Sequence, residues 1–228
     1  MNLPVLMNRV ELSRGGKKLL LALECGALFV AGPAAGAAGS MPILVIPILL
    51  LMALGCSLVL HFHYKIHLRD LMRPCVPAGE WKRIFVNFLI AVPCMIGLLW
   101  LIRPEAMFSL MRQHTGMWLL VVFAYPILSG FPQELVYRAF FFERYRPLFG
   151  QGYGMTLASM ALFSFAHILF HNWIAILLSF GGGLLFARTY QRTDSLYVTT
   201  VEHSLYGCAA FTIGYGPFFF DSTMRLYQ

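Results

Sequence analysis

The chain has 228 residues, of which 59% are hydrophobic and only 12% charged, and its formal net charge is +7. A soluble domain carries about twice that charged fraction, so the composition excludes a water-soluble globular protein and defines a polytopic membrane protein. Lysines and arginines in this number fix topology rather than bind nucleic acid, and no period-2 alternation suggests a β-barrel, so the fold class is all-α, a transmembrane helical bundle.

Seven spans are predicted, at about 18–36, 42–63, 84–102, 117–142, 155–171, 173–190 and 195–219. Basic residues cluster before the first span (Arg9, Arg14, Lys17, Lys18), after the second (Lys65, Arg69, Arg73, Lys82, Arg83), after the fourth (Arg144, Arg146) and after the sixth (Arg188, Arg192). Only Arg103, Arg112 and Arg225 fall on the opposite side, and Arg138 lies within a span. This bias predicts a cytoplasmic N-terminus and an outside C-terminus, as in a multi-pass protein of a bacterial inner membrane. Residues 1–116 hold the first three spans and their loops. Residues 117–228 hold the last four, within one integrated membrane domain.

In the first span, residues 19–31 precede AGPAAGAAGS, which has the look of a signal-peptide cleavage site. Glu24 interrupts the apolar run and the preceding basic region is long, so the segment is read as a retained span. His61, His63 and His67 beside Tyr64 and Lys65 end the second span, where interfacial anchoring is the expected role. The five cysteines (25, 56, 75, 94 and 208) make no CxxC and read as small hydrophobes rather than a disulfide or zinc framework. The fourth span contains Pro126, Gly130 and Pro132. Pro132 suits the first turn of a new helix starting within the membrane, with Glu134 in that turn, where a helix dipole favours a carboxylate. The sixth span carries Ser179, Gly183 and Ala187 four apart, a small-residue face for close helix contact.

Ionisable groups within spans mark functional sites by default. Glu134 and Arg138 are spaced i, i+4 and share a face. Phe163 and His167 have the same spacing, His171 extends their stripe and Asn172 follows. His203 comes directly after Glu202, and adjacent helical positions point about 100° apart, so those two cannot face one site. By helix rise, Glu134, His203 and His167 lie roughly 14, 12 and 18 Å from the cytoplasmic ends of their spans, which permits convergence. Two chemistries suit them. In one, the carboxylate takes a proton from water, one histidine positions that water and the other donates to an oxyanion. In the other, Glu134, His167 and His203 bind zinc, although no HExxH is present.

These motifs, Gln133-Glu134-x-x-x-Arg138, Phe163-x-x-x-His167 and His203 in order on three apolar segments, resemble the CPBP (Abi, CAAX-prenyl-protease-like) family of intramembrane proteases. The resemblance covers about residues 117–219. It implies a metal-free glutamic peptidase in which the motif glutamate and the first histidine activate water, while a later histidine and asparagine hold the oxyanion. Members act on membrane-associated proteins or peptides, including prenylated C-termini and bacteriocin precursors. Two positions depart from the family pattern. Gln133 replaces the first glutamate of the usual pair, so Glu134 must act. Gly207 stands four residues after His203 in place of asparagine, which leaves Asn172 or a backbone N–H to supply a donor. The expected function is therefore an intramembrane endopeptidase acting in the lipid bilayer, with catalytic Glu134, Arg138, His167 and His203 and supporting Gln133, Phe163, His171, Asn172 and Gly207. No cofactor is expected. A catalytically degenerate relative with a binding or immunity-type role is the alternative.

Overall fold

The computed structural model describes residues 14–39 and 45–219, and every regular element among them is helical. Six long helices are α1 (Gly15–Gly39), α2 (Val45–Phe62), α3 (Glu80–Ile102), α4 (Thr115–Arg144), α5 (Tyr153–Phe170) and α6 (Trp173–Thr193), each long and apolar enough to cross a membrane. A seventh, α7 (Leu196–Ile213), has 18 residues and carries buried Glu202 and His203. Side chains such as Leu51, Leu101 and Phe123 stand outward, at 68%, 75% and 73% exposure. Hydrocarbon rather than water is the solvent that suits such a surface. The expected polytopic helical bundle is the observed fold, with α7 ending at Ile213 instead of near 219. Gly214 turns the chain there at φ +127°, and a Cβ on it would run into the Ala106 carbonyl.

The first helix belongs to the core. Phe29 is fully buried and meets Tyr137, Phe141 and Tyr145 edge-on, with ring centroids 5.2, 5.3 and 5.8 Å apart. Glu24 closes a two-pronged ion pair with Arg144, at 2.8 and 2.5 Å, and accepts a further hydrogen bond from the Tyr145 hydroxyl at 3.0 Å. The glutamate that interrupts the first apolar run is thus the residue that ties α1 to the end of α4.

The small-residue face of α6 packs on α5 as its spacing predicts. Ser179, Gly183 and Ala187 are buried, and a Cβ on Gly183 would lie 3.0 Å from Phe163 Cδ1 and 3.4 Å from Met160 Cα. Side chains cap the next two helix starts. Asn172 Oδ1 accepts from the Ala175 N–H at 2.8 Å, and Ser195 Oγ accepts from the Val198 N–H at 3.2 Å while donating to the Arg73 carbonyl. Such caps satisfy backbone donors that a helix start leaves open.

The fourth span departs from expectation. Pro132 does not begin a new helix, because Tyr125, Pro126, Gly130 and Phe131 all keep right-handed helical angles and α4 runs unbroken for 30 residues. Two stretches, Pro126–Gly130 and Leu135–Phe140, wind instead as wide π turns. A turn that bonds five residues back absorbs a proline's missing N–H without ending the helix. Glu134 therefore sits in mid-helix between the two wide turns, and no helix start lends it a dipole. Beyond α2, His61 and His67 face each other, Nδ1 to Nδ1, at 3.2 Å on the exposed surface.

Candidate active site

Helices α4, α5, α6 and α7 converge on one buried carboxylate. Glu134 is fully buried, and its Oε1 accepts a hydrogen bond from His203 Nδ1 at 2.8 Å. Its Oε2 lies 3.3 Å from Nε of Arg138, one turn on along α4 and equally buried. The Arg138 guanidinium lies over the Phe163 ring at 4.6 Å, within 5.8 Å of the Phe186 ring, and donates weakly to the Gly183 carbonyl at 3.4 Å. A lone charge at this depth costs several kcal/mol, so each ion is tenable because the other is present. The i, i+4 spacing of Glu134 and Arg138 does produce the ion pair it suggests.

The tautomer of His203 follows from its partners. A neutral ring that donates from Nδ1 to Glu134 keeps its lone pair on Nε2, and the Tyr125 hydroxyl lies 2.9 Å from that atom. Phe186 stacks on the imidazole with centroids 4.5 Å apart and 18° between planes, and Phe163 meets it edge-on at 5.6 Å. The ring is held on both nitrogens and one face, the condition for a side chain poised at one angle.

His167 is half-buried where α5 tightens into its last turn, His167–Phe170. Its Nδ1 donates to the Phe163 carbonyl at 2.8 Å, which leaves Nε2 as an acceptor. No hydrogen bond joins it to Glu134. It reaches the site through Phe163, whose ring centroid is 4.9 Å from its own. The histidine bonded to the glutamate is therefore His203 and not the first motif histidine, because Phe163 occupies the place between His167 and the α4 face.

The other candidates are distributed differently. Gln133 Nε2 donates to Ser129 Oγ at 2.7 Å, while its buried Oε1 has no hydrogen-bond partner. His171 is exposed, with φ +53° at the end of α5, and stands apart from the site. Asn172 cannot serve as a spare donor, since its Nδ2 hydrogens go to the Phe170 and Phe218 carbonyls at 2.9 and 2.6 Å. Gly207 faces Tyr125 across the α4–α7 contact. Glu202 is buried and its two carboxylate oxygens have no hydrogen-bond partner, while Arg83 donates to Thr189 at 2.7 Å and to Glu80 at 2.8 Å. Tyr125 and Phe186 are site residues that no motif marks. The available signal for Tyr125 is its place in a four-residue stripe with Ser129 and Gln133.

Among the described residues, no group of three or more His, Cys, Asp or Glu side chains is arranged to hold a metal ion. Beside the site, a groove of about 860 Å³ runs between α3, α4 and α7, lined by Val92, Trp118, Pro126, Val201, Ser204 and Cys208 among others. All five cysteines are free.

Glu134, Arg138 and His203 are thus buried together among the helices, with His167 half-buried beside Phe163. Residues 114–209 match the family model of type II CAAX prenyl endopeptidases, Rce1-like, so this stretch is similar to that CPBP family. The match runs from the start of α4 into α7 and includes Glu134, Arg138, His167 and His203. No curated protein and no solved structure matches the chain. With six helices long and apolar enough to cross a membrane, the protein is an integral multi-pass membrane protein.

Proposed function

We propose that the protein is an intramembrane endopeptidase that hydrolyses a peptide bond of a membrane-associated protein or peptide, with water activated by the Glu134–His203 pair. The observation that carries this reading is the 2.8 Å hydrogen bond between Glu134 Oε1 and His203 Nδ1, backed by Arg138 on the other oxygen. A carboxylate at Nδ1 fixes the imidazole tautomer and stabilises the imidazolium that forms when Nε2 takes a proton. As the water oxygen bonds to the scissile carbonyl carbon, the His203 base gains a proton in exchange for the one water loses, and the carbonyl electrons move onto oxygen. Collapse of that intermediate breaks the C–N bond, and His203 returns its proton to the leaving amine. His167, with its Nε2 lone pair, orients the attacking water. The chemistry needs no metal.

The orientation that best suits the basic loops places the N-terminus in the cytoplasm of a bacterial cell. A degenerate relative that binds without cleaving is favoured by one observation, the amide of Gln133 where the family pattern has a carboxylate. The deciding experiment is a peptidase assay in detergent with a membrane-peptide library, on wild type and Glu134→Gln, each with and without chelator. Cleavage that survives the chelator and vanishes in the variant supports the peptidase. Full activity of the variant overturns it, and loss with chelator that zinc restores overturns the metal-free mechanism.

A further inference from the structure

The peptidase mechanism lacks a named donor for the oxyanion, and the sequence offers none at Gly207. We infer that Tyr125 is that catalytic residue, its phenol donating to the developing oxyanion from the space Gly207 leaves open. The inference rests on the peptidase reading.

Three observations support it. The Tyr125 hydroxyl is 2.9 Å from His203 Nε2, the atom that exchanges the proton. The ring is built into the α4–α7 contact: a Cβ on Gly207 would overlap Tyr125 Cε1 and Cζ and lie 2.6 Å from its hydroxyl oxygen. Tyr125 also packs edge-on against His203 and Phe211, with centroids 5.9 and 5.6 Å apart, so the hydroxyl is aimed and does not sample rotamers. Any residue other than glycine at 207 would push the phenol off Nε2.

Several polar side chains nearby are already engaged, while the unpartnered Thr200 hydroxyl lies on the groove and makes no hydrogen bond to the Glu134–His203 pair. Ser204 donates to the Thr200 carbonyl at 2.7 Å, Gln133 to Ser129, and Asn172 to two carbonyls. Arg138 lies over Phe163 on the far side of the carboxylate. Among the described residues, Tyr125 is the hydroxyl in direct contact with the Glu134–His203 pair.

The chemistry balances. At rest the phenol donates its hydrogen to His203 Nε2. As water attacks, its proton passes to the Tyr125 oxygen while the phenol hands its own proton to Nε2. The protonated Nε2–H now donates back to the Tyr125 oxygen. The O–H that Tyr125 has gained from water is free to point at the oxyanion, and the bond reversal ties donor availability to the moment at which negative charge appears. Tyr125 remains a neutral phenol before and after the step. Pro126, next in sequence, lines the apolar groove, while the Tyr125 ring itself packs on His203 and Phe211.

The test compares wild type, Glu134→Gln and Tyr125→Phe in one detergent assay, with kcat, KM and thermal unfolding read for each. Tyr125→Phe keeps the ring and removes only the hydroxyl. The expected result is a fall in kcat of about 10²–10³-fold with KM nearly unchanged, the loss typical of one oxyanion donor. Unfolding should stay within a few degrees of wild type. A cleaving wild type, an inactive Glu134→Gln and a fully active Tyr125→Phe overturn the tyrosine assignment alone. A fall in kcat that comes with a matching loss of thermal stability also overturns it, since that is packing. A wild type that cleaves nothing in the library overturns the peptidase reading and the role of Tyr125 with it.

Discussion

Arg138 lies face-on to Phe163, its guanidinium carbon 4.6 Å from the ring centroid. The phenylalanine of the motif on α5 is thereby part of the solvation of a cation on α4. A desolvated contact of this kind is worth about 2 kcal/mol. Two Arg138 nitrogens, Nε and NH1, have no hydrogen-bond acceptor, so the rings and the Glu134 charge take the place of acceptors. Arg138→Ala would leave Glu134 as a buried charge beside a neutral histidine, at a cost of about 3–5 kcal/mol. The variant is expected to aggregate or fail to accumulate on size exclusion. Arg138→Lys keeps the charge but not the planar stack, so it should fold with a lower melting temperature and a lower kcat. An Arg138→Ala protein that melts with wild type would show the pair to be dispensable.

The attachment of α1 has two parts of unequal weight. Phe29 is fully buried in an aromatic cluster, whereas the Glu24 and Arg144 side chains retain 33% and 26% exposure. Phe29→Ala should cost about 3–5 kcal/mol, because it leaves a cavity among Tyr137, Phe141 and Tyr145. Glu24→Ala should cost about 1 kcal/mol, the upper range for a partly exposed pair with good geometry. Thermal unfolding of the two variants side by side checks the order, and a larger loss for Glu24→Ala would mean that the ion pair, not the aromatic cluster, holds α1.

Gly183 sets the distance between α5 and α6. An alanine methyl would press on Phe163 Cδ1 at 3.0 Å and on the Met160 backbone at 3.4 Å, and only the ring can give. Gly183→Ala is expected to cost about 1–3 kcal/mol by overpacking. Since Phe163 touches Arg138, His167 and His203, kcat should fall along with the melting temperature. A methyl on Gly181 would meet nothing within 4 Å, and Gly181→Ala serves as the control with neither change.

Asn172 distinguishes a cap from a catalytic donor. Its side chain accepts from the Ala175 N–H and donates to two carbonyls, which accounts for all its polar atoms. Asn172→Ala should lower stability by about 1 kcal/mol and leave kcat near wild type. A collapse of kcat at unchanged melting temperature would mean that the amide works in the reaction.

Much of this arrangement is legible in the chain because bilayer physics reduces the alternatives. Long apolar runs have to be helices, and an ionisable residue within one has to face inward, which marks Glu134, Arg138, His167 and His203 but equally Glu202. The i, i+4 pairing of Glu134 with Arg138 is local and readable for that reason. The pairing of Glu134 with His203 spans 69 residues, and the choice of His203 over His167 depends on where the Phe163 ring lies. Tyr125 shows in the chain only by its four-residue spacing from Ser129 and Gln133, because tyrosines are ordinary in membrane helices and its meaning depends on the missing side chain at Gly207. Nor is the course of α4 at Pro132, where a proline that signals a boundary in most settings is taken up by wide turns.

Those wide turns also limit which changes the site can tolerate. A π turn holds one residue more than an α turn, so each acts as a rotary offset between the helical stretches on either side. Tyr125 lies just before the first offset, Glu134 between the two and Arg144 after the second. The phasing of the phenol, the carboxylate and the anchor to α1 is thus set by insertions, and not by which residues are present. Loss of one residue from Pro126–Gly130 would turn Tyr125 by roughly 100° relative to Glu134. Every site side chain would survive such a deletion, yet the phenol and the carboxylate would no longer meet the same imidazole.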